Sequence, residues 1–502
     1  MNKISFLHLC CSLLILGCGN DLERGKVVYE QYCGSCHMSP DPAQLPAAIW
    51  QDHILPEMAA RMGLTVNDYD PLSSLSWQDK QLVAQTGIYP ATPTISPSDF
   101  QLIYAYLQSL APESLEQKSR VGRLGELEGF EAEKLVIDHR PGARVSYLDY
   151  LPESQSFLFG NVAGHLLAFT ESRRDTLTQV FSPVIGFSGS ESSGTVIDIG
   201  ILAPTEMKEG TMTSLEEGSL RVMKRGLHRP VHIVETDLDR NGSQELIVCE
   251  YGNLEGQLKM YREDEAGELI EQTLLDLPGA IRVIVEDMNN DQKDDLVVLF
   301  SQGKEAVYLF YQEEELTFRV EQVISSHAIS GSSWMELIDM DQDGDKDLVL
   351  AQGDNADLSQ VRKPYHGIRI YTNDGNNAFE EAWFFPMYGA TRVVAADFDE
   401  DGDVDLGACS YFPDFENLRE ESFVYLKAVG QGGTFEFEPQ SMPEAGDGRW
   451  ITAAVGDYDQ DGDLDLLLGS FTHTPTPVPE AIRQEWIQPE APDVLLLRNQ
   501  LR

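Results

Sequence analysis

A short pattern of apolar and acidic positions recurs five times from residue 231 onward. Each copy begins with an apolar stretch such as VHIVET or RVVAA, continues with an acidic loop, and ends with an apolar stretch such as LIVCEYG. The loops start at Asp237, Asp287, Asp339, Asp397 and Asp457, so the copies follow one another at intervals of 50 to 60 residues. A strand, a loop and a strand within about 50 residues fit one four-stranded blade, and the repetition predicts an all-β propeller.

The number of blades follows from the length in front of the first acidic loop. Residues 145–232 have room for two more blades, and DYLPESQSFLFG from Asp149 keeps the length of the motif while Leu151 and Phe157 replace its ligands. Seven blades are therefore expected. The last copy ends at VLLLRNQLR without a fourth strand, whereas FEAEKLVIDHRPGARVSY near residue 130 resembles the stretches before other loops. We expect this early strand to complete the last blade and close the ring.

The acidic loops place oxygen ligands at alternate positions, as calcium loops do. Positions 1, 3, 5 and 9 offer side chains, position 7 offers a backbone carbonyl, and glycine at position 6 allows the tight turn. The complete loops contain Asp339, Asp341, Asp343, Asp345 and Asp347; Asp397, Asp399, Asp401, Asp403 and Asp405; and Asp457, Asp459, Asp461, Asp463 and Asp465. Two divergent loops contain Asp237, Asp239, Asn241, Ser243 and Glu245; and Asp287, Asn289, Asp291, Lys293 and Asp295, with Gln292 in place of glycine. We predict three calcium ions, or up to five if the weaker divergent loops also bind.

These repeats resemble the FG-GAP or VCBS family, whose calcium-loop propeller repeats also occur in integrin α subunits. The resemblance covers about residues 129–502. It implies a rigid propeller that binds a protein or carbohydrate ligand. Cys249 and Cys409 stand at equivalent places in non-adjacent blades, too far apart for a disulfide, so we expect both to be reduced core residues.

A different motif lies near the front of the chain, in YCGSCHMSP. Cys33, Cys36 and His37 have the C-x-x-C-H spacing of covalent haem c attachment. A thioredoxin-type site would need a strand before the motif, and a zinc site would need a second ligand pair nearby. A helical pattern precedes the motif, and SPSDFQLIYAYLQSL predicts a helix rich in Tyr and Leu after it.

The C-x-x-C-H motif between two helical segments resembles a single-haem class I cytochrome c domain. The resemblance implies haem thioethers at Cys33 and Cys36 and His37 as one axial ligand of the iron. Met58 is the predicted second ligand and Met62 the runner-up, while His53 and an open site remain alternatives. The predicted fold class is therefore multidomain: a small all-α cytochrome c domain at 18–110, a linker at 111–128 and the propeller at 129–502.

The first residues predict export. Residues 1–17 have the pattern of a signal peptide, and ILGC ending at Cys18 resembles the lipobox of bacterial lipoproteins. The resemblance implies a lipid on Cys18 and attachment to the outer membrane, on its periplasmic or cell-surface face.

Composition narrows the choice of partners. The formal net charge of −47 excludes nucleic acid as a favourable partner, and the 42% hydrophobic content is that of a folded chain.

The first hypothesis is a membrane-anchored electron carrier with a ligand-binding propeller and a redox partner on the envelope. The alternatives are an oxidoreductase that oxidises a sugar-like substrate and passes the electron to haem, and an adhesion or carbohydrate-binding protein. No catalytic motif is visible, so enzymatic activity stays open.

Overall fold

A computed structural model describes residues 11–117, 120, 122–264, 266–314, 316–356, 358–430, 433–473 and 476–500, with side chains from residue 21 onward. The chain divides into two compact units. The first contains the described residues up to Glu116 with His327–Ile329 and the described part of Asp357–Lys363. The second contains the remainder. Within the described residues, no helix combines the length and apolar composition needed to cross a membrane.

The first unit is built from helices joined by irregular segments. They are α1 (Cys11–Cys33), α2 (Ala47–Ile49), α3 (Leu55–Arg61), α4 (Trp77–Thr86) and α5 (Pro97–Leu110), with a π-helical turn at Trp50–Ile54 and a 3₁₀ turn at Pro42–Gln44. Ser96 caps α5 by accepting a hydrogen bond from the backbone N–H of Asp99 at 3.0 Å, and Phe100, Ile103 and Leu107 form its buried face. The predicted helix after the C-x-x-C-H motif is thus confirmed.

The predicted fold class is wrong in its first part, because the structure does not support a separate all-α cytochrome c domain. The helices that follow Cys33 in this unit are few and short, from 3 to 14 residues. They also do not form a compact unit by themselves, since short segments near residues 328 and 360 belong to the same unit. An independent domain would have its own core within its own stretch of chain.

The second unit is a propeller of seven sheets, which confirms the predicted number of blades. Two strands come before the first complete blade: β1 (Gly125–Glu126) and β2 (Phe130–Leu135). Blade 1 consists of β3 (Val145–Leu151), β4 (Ser156–Asn161), β5 (His165–Phe169) and β6 (Arg174–Gln179). Blade 2 consists of β7 (Val184–Gly189), β8 (Ser193–Asp198), β9 (Gly210–Glu216) and β10 (Ser219–Leu227).

The next three blades contain the first three acidic loops. Blade 3 consists of β11 (Pro230–Thr236), β12 (Glu245–Glu250), β13 (Gln257–Glu263) and β14 (Leu269–Leu275). Blade 4 consists of β15 (Ala280–Glu286), β16 (Asp295–Phe300), β17 (Ala306–Gln312) and β18 (Phe318–Ser325). Blade 5 consists of β19 (Ser332–Ile338), β20 (Asp347–Gln352), β21 (Gly367–Asn373) and β22 (Phe379–Pro386).

The last two blades each include a strand from the front of the propeller chain. Blade 6 consists of β23 (Ala390–Ala396), β24 (Asp405–Ser410), β25 (Phe423–Ala428) and β26 (Phe437–Ser441), with β1 parallel to β26. Blade 7 consists of β27 (Trp450–Gly456), β28 (Asp465–Ser470) and β29 (Val494–Asn499), and helix α6 (Glu480–Trp486) lies between β28 and β29 in sequence. Strand β2 completes blade 7 antiparallel to β29, which confirms the predicted closure of the ring.

The core lies between the blades. The second strand of six blades is buried along its whole length because neighbouring blades cover both faces. These strands are therefore nearly continuous apolar runs, as in LIVC and LLLG. Cys249 and Cys409 are free thiols in this core and fully buried, which confirms the prediction made for them.

Each innermost strand has the same irregularity near its start. In all seven blades the pairing with the second strand shifts between the first and third residues, as at Pro230/His232 and Ala390/Arg392. Such β-bulges bend a strand and redirect its side chains. The seven third residues are therefore equivalent around the ring.

Candidate calcium loops and the C-x-x-C-H segment

The five acidic loops share one backbone conformation. Their fourth residues, all non-glycine, have φ between 57° and 62°. In every loop the backbone N–H of position 6 donates to the position 1 aspartate, at 2.7–3.1 Å. Position 6 has φ of 90–99° where it is glycine and 70° at Gln292. Glycine adopts this left-handed region without the steric cost that a Cβ brings, so the loop sequence matches its conformation.

Position 9 anchors each loop to its blade. Its carboxylate is buried and accepts a hydrogen bond from the backbone N–H of position 2, at 2.7–3.4 Å. In four blades the same carboxylate also accepts the N–H of the last residue of the third strand. Burial raises the pKa of Asp295, Asp405 and Asp465 to about 6. These side chains are held in place before any ion binds.

The loops bring carboxylates together in four of the five blades that contain them. The groups whose oxygens lie within 4.8 Å of one another are Asp237, Asp239 and Glu245; Asp339, Asp341 and Asp347; Asp397, Asp399 and Asp401; and Asp457, Asp459 and Asp465. Three of the groups have a buried oxygen without a hydrogen-bond partner among the described residues, and these oxygens are available to a cation: Oδ1 of Asp339, Asp399 and Asp459. Hard oxygen donors at this spacing suit calcium, and a cation there would relieve the repulsion between the carboxylates.

The loop at 287–295 differs, as its sequence suggests. Among the residues that the structure describes, it contributes no group of three clustered carboxylates. Asn289 occupies position 3, where its side-chain oxygen accepts the N–H of Asp291 at 2.9 Å, as Asp239 and Asp341 accept the equivalent N–H in their loops. Like the loop at 237–245, it has one carboxylate fewer than the complete loops, but its carboxylates are not grouped and Gln292 is in the left-handed region, so it is the weakest of the five.

Two loops contain a basic partner that the sequence reasoning missed. Lys427 Nζ lies 2.8 Å from Asp399 Oδ2, and Arg498 pairs with Asp459. Both cations are the penultimate residues of the third strands of their blades, β25 and β29. A basic residue that recurs at this position of the third strand is the sequence signal that could have revealed these partners. Each cation reduces the repulsion within its loop and leaves the aspartate Oδ1 oxygen free to bind an ion.

The C-x-x-C-H residues lie at the end of α1 and just after it. Cys33 ends the helix and is half-buried, whereas Cys36 is exposed, and both are free thiols. Burial, with a contribution from Cys36, raises the pKa of Cys33 to about 12. His37 Nδ1 lies 3.0 Å from the backbone oxygen of Met38. When Nδ1 donates this bond, the ring is fixed and Nε2 is left as a metal-ligating atom.

The other predicted haem residues lie in and around α3. Met58 is within the helix and Met62 is its C-terminal cap, and both are half-buried. His53 is exposed in the π-helical turn. In α3, the buried Glu57 accepts hydrogen bonds from Arg61, Tyr69 and Tyr89 at 2.8–3.0 Å. The sequence did not reveal this cluster. Residues 1–10 of the predicted signal and the side chain of Cys18 lie outside the described part of the chain.

Together these features define the class as a β-propeller with calcium-type acidic loops. A family model described as FG-GAP-like repeat matches residues 287–350 and 339–408, so the chain contains FG-GAP-like repeats. Similar solved structures include the N-terminal domain of Nup159 (12% identity, TM-score 0.40, 74% of this chain and 96% of that one). The structure of the RRP9 WD40 repeats has 10% identity and a TM-score of 0.41, and the match covers 73% of this chain and 97% of that one. The structure of U3-55K also has 10% identity and a TM-score of 0.41, and the match covers 74% of this chain and 99% of that one. No curated protein matches the sequence.

Proposed function

We propose that this protein is a calcium-stabilised propeller that binds a protein or carbohydrate ligand. The observation that carries the proposal is the grouping of carboxylates in four loops, three of which have a buried oxygen without a hydrogen-bond partner among the described residues. A cation at each loop would connect the first and second strands of its blade and so stiffen the surface that the connections form.

Calcium binding is tested by thermal unfolding of the purified chain. Calcium should raise the unfolding temperature at concentrations where magnesium has little effect, because magnesium demands a smaller octahedral site. Equal responses to the two ions, or none, would contradict this part of the proposal.

A polar pocket supports carbohydrate as the ligand. The pocket, of about 350 Å³, lies at blades 2 and 3, and its charged and amide lining residues are Lys208, His228, Glu250, Glu255, Gln257, Lys259 and Asp276. Glu250 is held in place by the hydroxyl of Tyr261 at 2.6 Å and the backbone N–H of His228 at 2.7 Å. Lys259 Nζ lies 3.4 Å from the same carboxylate. Convergent donors and acceptors of this kind suit the hydroxyl groups of a sugar.

A glycan array with wild-type and Lys259→Ala protein tests the pocket. Binding of one glycan class should be lost in Lys259→Ala and kept in the control Lys134→Ala. Lys134 is an exposed lysine of blade 7 that pairs with Asp447. If no glycan binds, or if both variants bind like wild type, a protein ligand becomes the better hypothesis.

A second proposal, covalent haem c, concerns the C-x-x-C-H segment. Cys33 and Cys36 would attach the haem covalently, and His37 and Met58, with Met62 as runner-up for Met58, would hold its iron. The two free thiols and the contact between His37 Nδ1 and the Met38 oxygen fit this role. The group would supply one-electron chemistry for exchange with a redox partner on the envelope. If the propeller also oxidised a sugar-like ligand, the protein would be an oxidoreductase.

Haem attachment is tested on the chain expressed in cells that mature c-type haem. Haem should stay with the wild-type chain on a denaturing gel and be absent from a Cys33→Ser/Cys36→Ser variant. The control Cys249→Ser changes a buried core thiol and should keep the haem. A wild-type chain without covalent haem would overturn the proposal.

We also propose that the chain is exported and attached to the outer membrane by a lipid on Cys18. The resemblance of ILGC to a lipobox supports this proposal. Labelling with a radioactive fatty acid should mark the wild-type chain and not a Cys18→Ser variant. An unlabelled wild-type chain would leave the propeller without this anchor.

A further inference from the structure

The third residues of the seven innermost strands form one layer around the propeller axis. They are Tyr147, Gly186, His232, Arg282, Trp334, Arg392 and Thr452. In blades 3 to 7 each stands five residues before the first aspartate of its acidic loop, which is the signal in the sequence that could have found the layer. The four members His232, Arg282, Trp334 and Arg392 concentrate cationic and aromatic groups on one side of the layer.

Trp334 is the centre of this group. The guanidinium carbon of Arg282 lies 3.8 Å from the centroid of its ring, and that of Arg392 lies 3.1 Å from it. The ring of His232 is edge-on to the indole, with the ring centroids 6.3 Å apart. Two guanidinium groups are thus held close together by one aromatic side chain, although like charges repel.

The two arginines differ in their partners. Arg282 pairs with Glu336 at 3.2 Å, and Trp334 Nε1 donates to the same carboxylate at 2.7 Å. Arg392 forms no ion pair in the described part of the chain, and its Nη2 donates to the backbone oxygen of Ala453 at 2.9 Å. Glu336 and Asp149 attract its charge from a distance, but they offset only part of the desolvation of the buried guanidinium.

Other donors in the layer are also unused. Nε of Arg282, Nε of Arg392 and Nδ1 of His232 are buried and have no hydrogen-bond partner among the described residues. Burial, reinforced by the positive charge of Arg282, lowers the pKa of Arg392 to about 9, so the guanidinium stays charged at neutral pH. Burial also lowers the pKa of His232, which is neutral there and can donate through one ring nitrogen.

The acidic groups nearby are already engaged. Glu336 is shared by Arg282 and Trp334, and Asp149 accepts the hydroxyl of Tyr147 at 2.8 Å. The layer is not closed to small molecules, because the side chain of Arg282 remains 17% exposed although it lies inside the ring. The layer therefore combines unused donors with an arginine that has no ion-pair partner among the described residues.

We propose that this layer is a binding site for a small oxyanion, with Arg392 as its principal ligand and His232 and Arg282 as further donors. The guanidinium fork matches two oxygens of a carboxylate or of an inorganic anion such as sulfate. The site is separate from the acidic loops, and its occupant carries the opposite charge to calcium.

The test measures anion binding to the purified chain by calorimetry and by tryptophan fluorescence. Acetate, succinate and sulfate are added separately, each against sodium chloride at equal ionic strength, and phosphate is avoided because it precipitates calcium. Saturable binding is expected for at least one oxyanion, together with a change in emission, since Trp334 touches the site. Carboxylates alone, sulfate alone, or both would identify the ligand class and each would support the site.

Two variants locate the binding. Arg392→Gln should weaken it at least tenfold, and Arg392→Lys, which keeps the charge and is the more conservative change, should weaken it several-fold by removing the fork. Arg319→Gln is the matched control, because Arg319 also stacks on an aromatic ring, Tyr311, but its side chain is 48% exposed on an outer strand. The proposal is overturned if wild type binds none of the oxyanions, or if Arg392→Lys binds as tightly as wild type.

Discussion

The ring of Phe130 lies edge-on to that of Tyr425, with the centroids 5.2 Å apart. Phe130 belongs to the early strand that completes blade 7, whereas Tyr425 belongs to blade 6. The hydroxyl of Tyr425 donates to Asp405 at 2.6 Å, and Asp405 is position 9 of an acidic loop. The closure of the ring and the framework of a proposed calcium site therefore share one chain of contacts.

Phe130→Ala should destabilise the propeller by about 2–3 kcal/mol, because it removes a large aromatic side chain from the closing strand. Phe130 also packs against Phe398, so two aromatic contacts are lost together. Urea unfolding in saturating calcium measures the change. Phe181→Ala is the control, since Phe181 is 69% exposed and its loss should change the free energy of unfolding much less. Equal effects of the two substitutions would contradict the closure.

Asp459→Asn should weaken calcium binding at one loop by about tenfold or more, because it removes a charged ligand from the group around Asp457. Terbium luminescence with calcium competition measures the affinity. Asp175→Asn, an exposed aspartate paired with Arg173 in blade 1, should leave the titration unchanged. An unchanged titration in Asp459→Asn would show that this loop does not bind the ion.

The weak loop offers a gain-of-function test. Asn289→Asp restores the missing carboxylate, and Gln292→Gly removes a side chain from a residue with φ of 70°. The second change should relieve about 1 kcal/mol of backbone strain. The double variant should bind one calcium ion more than wild type at a concentration that saturates the other loops. If the number of bound ions does not change, the sequence rule used to rank the loops is wrong.

Glu305 should make stability depend on pH. It is fully buried and accepts the N–H of Gly331 at 3.0 Å and of Ser332 at 2.8 Å, and burial raises its pKa to about 7. The folded state therefore holds this proton more tightly than the unfolded state does. Its stabilising contribution is complete below about pH 4.5 and is lost as pH rises towards 7, by at most about 1.4 kcal/mol per pH unit.

Glu305→Gln should remove this component of the pH dependence. The free energy of unfolding is measured from pH 4.5 to 7.5 in both proteins, and the slopes are compared, since the substitution also costs a hydrogen bond at every pH. The buried loop aspartates titrate in the same range and contribute equally to both proteins. Parallel curves would mean that Glu305 does not hold the proton.

The propeller was predictable because its signals are local and repeated. The aspartates from Asp237 to Asp457 mark equivalent turns, and the missing fourth strand after β29 requires a partner such as β2. The axial layer was not predicted, because His232 and Arg392 meet only when blades that are 160 residues apart in sequence close into a ring. The fold class failed for a different reason: Cys33, Cys36 and His37 specify local chemistry, and a three-residue signature does not determine the fold around it.

The most direct test of the calcium-loop propeller is the number of calcium ions bound per chain. Equilibrium dialysis of the purified protein against calcium at extracellular concentration, followed by elemental analysis, gives this ratio. The account predicts four ions, one for each loop with three grouped carboxylates, and their retention in excess magnesium. A ratio near zero, or full displacement by equimolar magnesium, would contradict it.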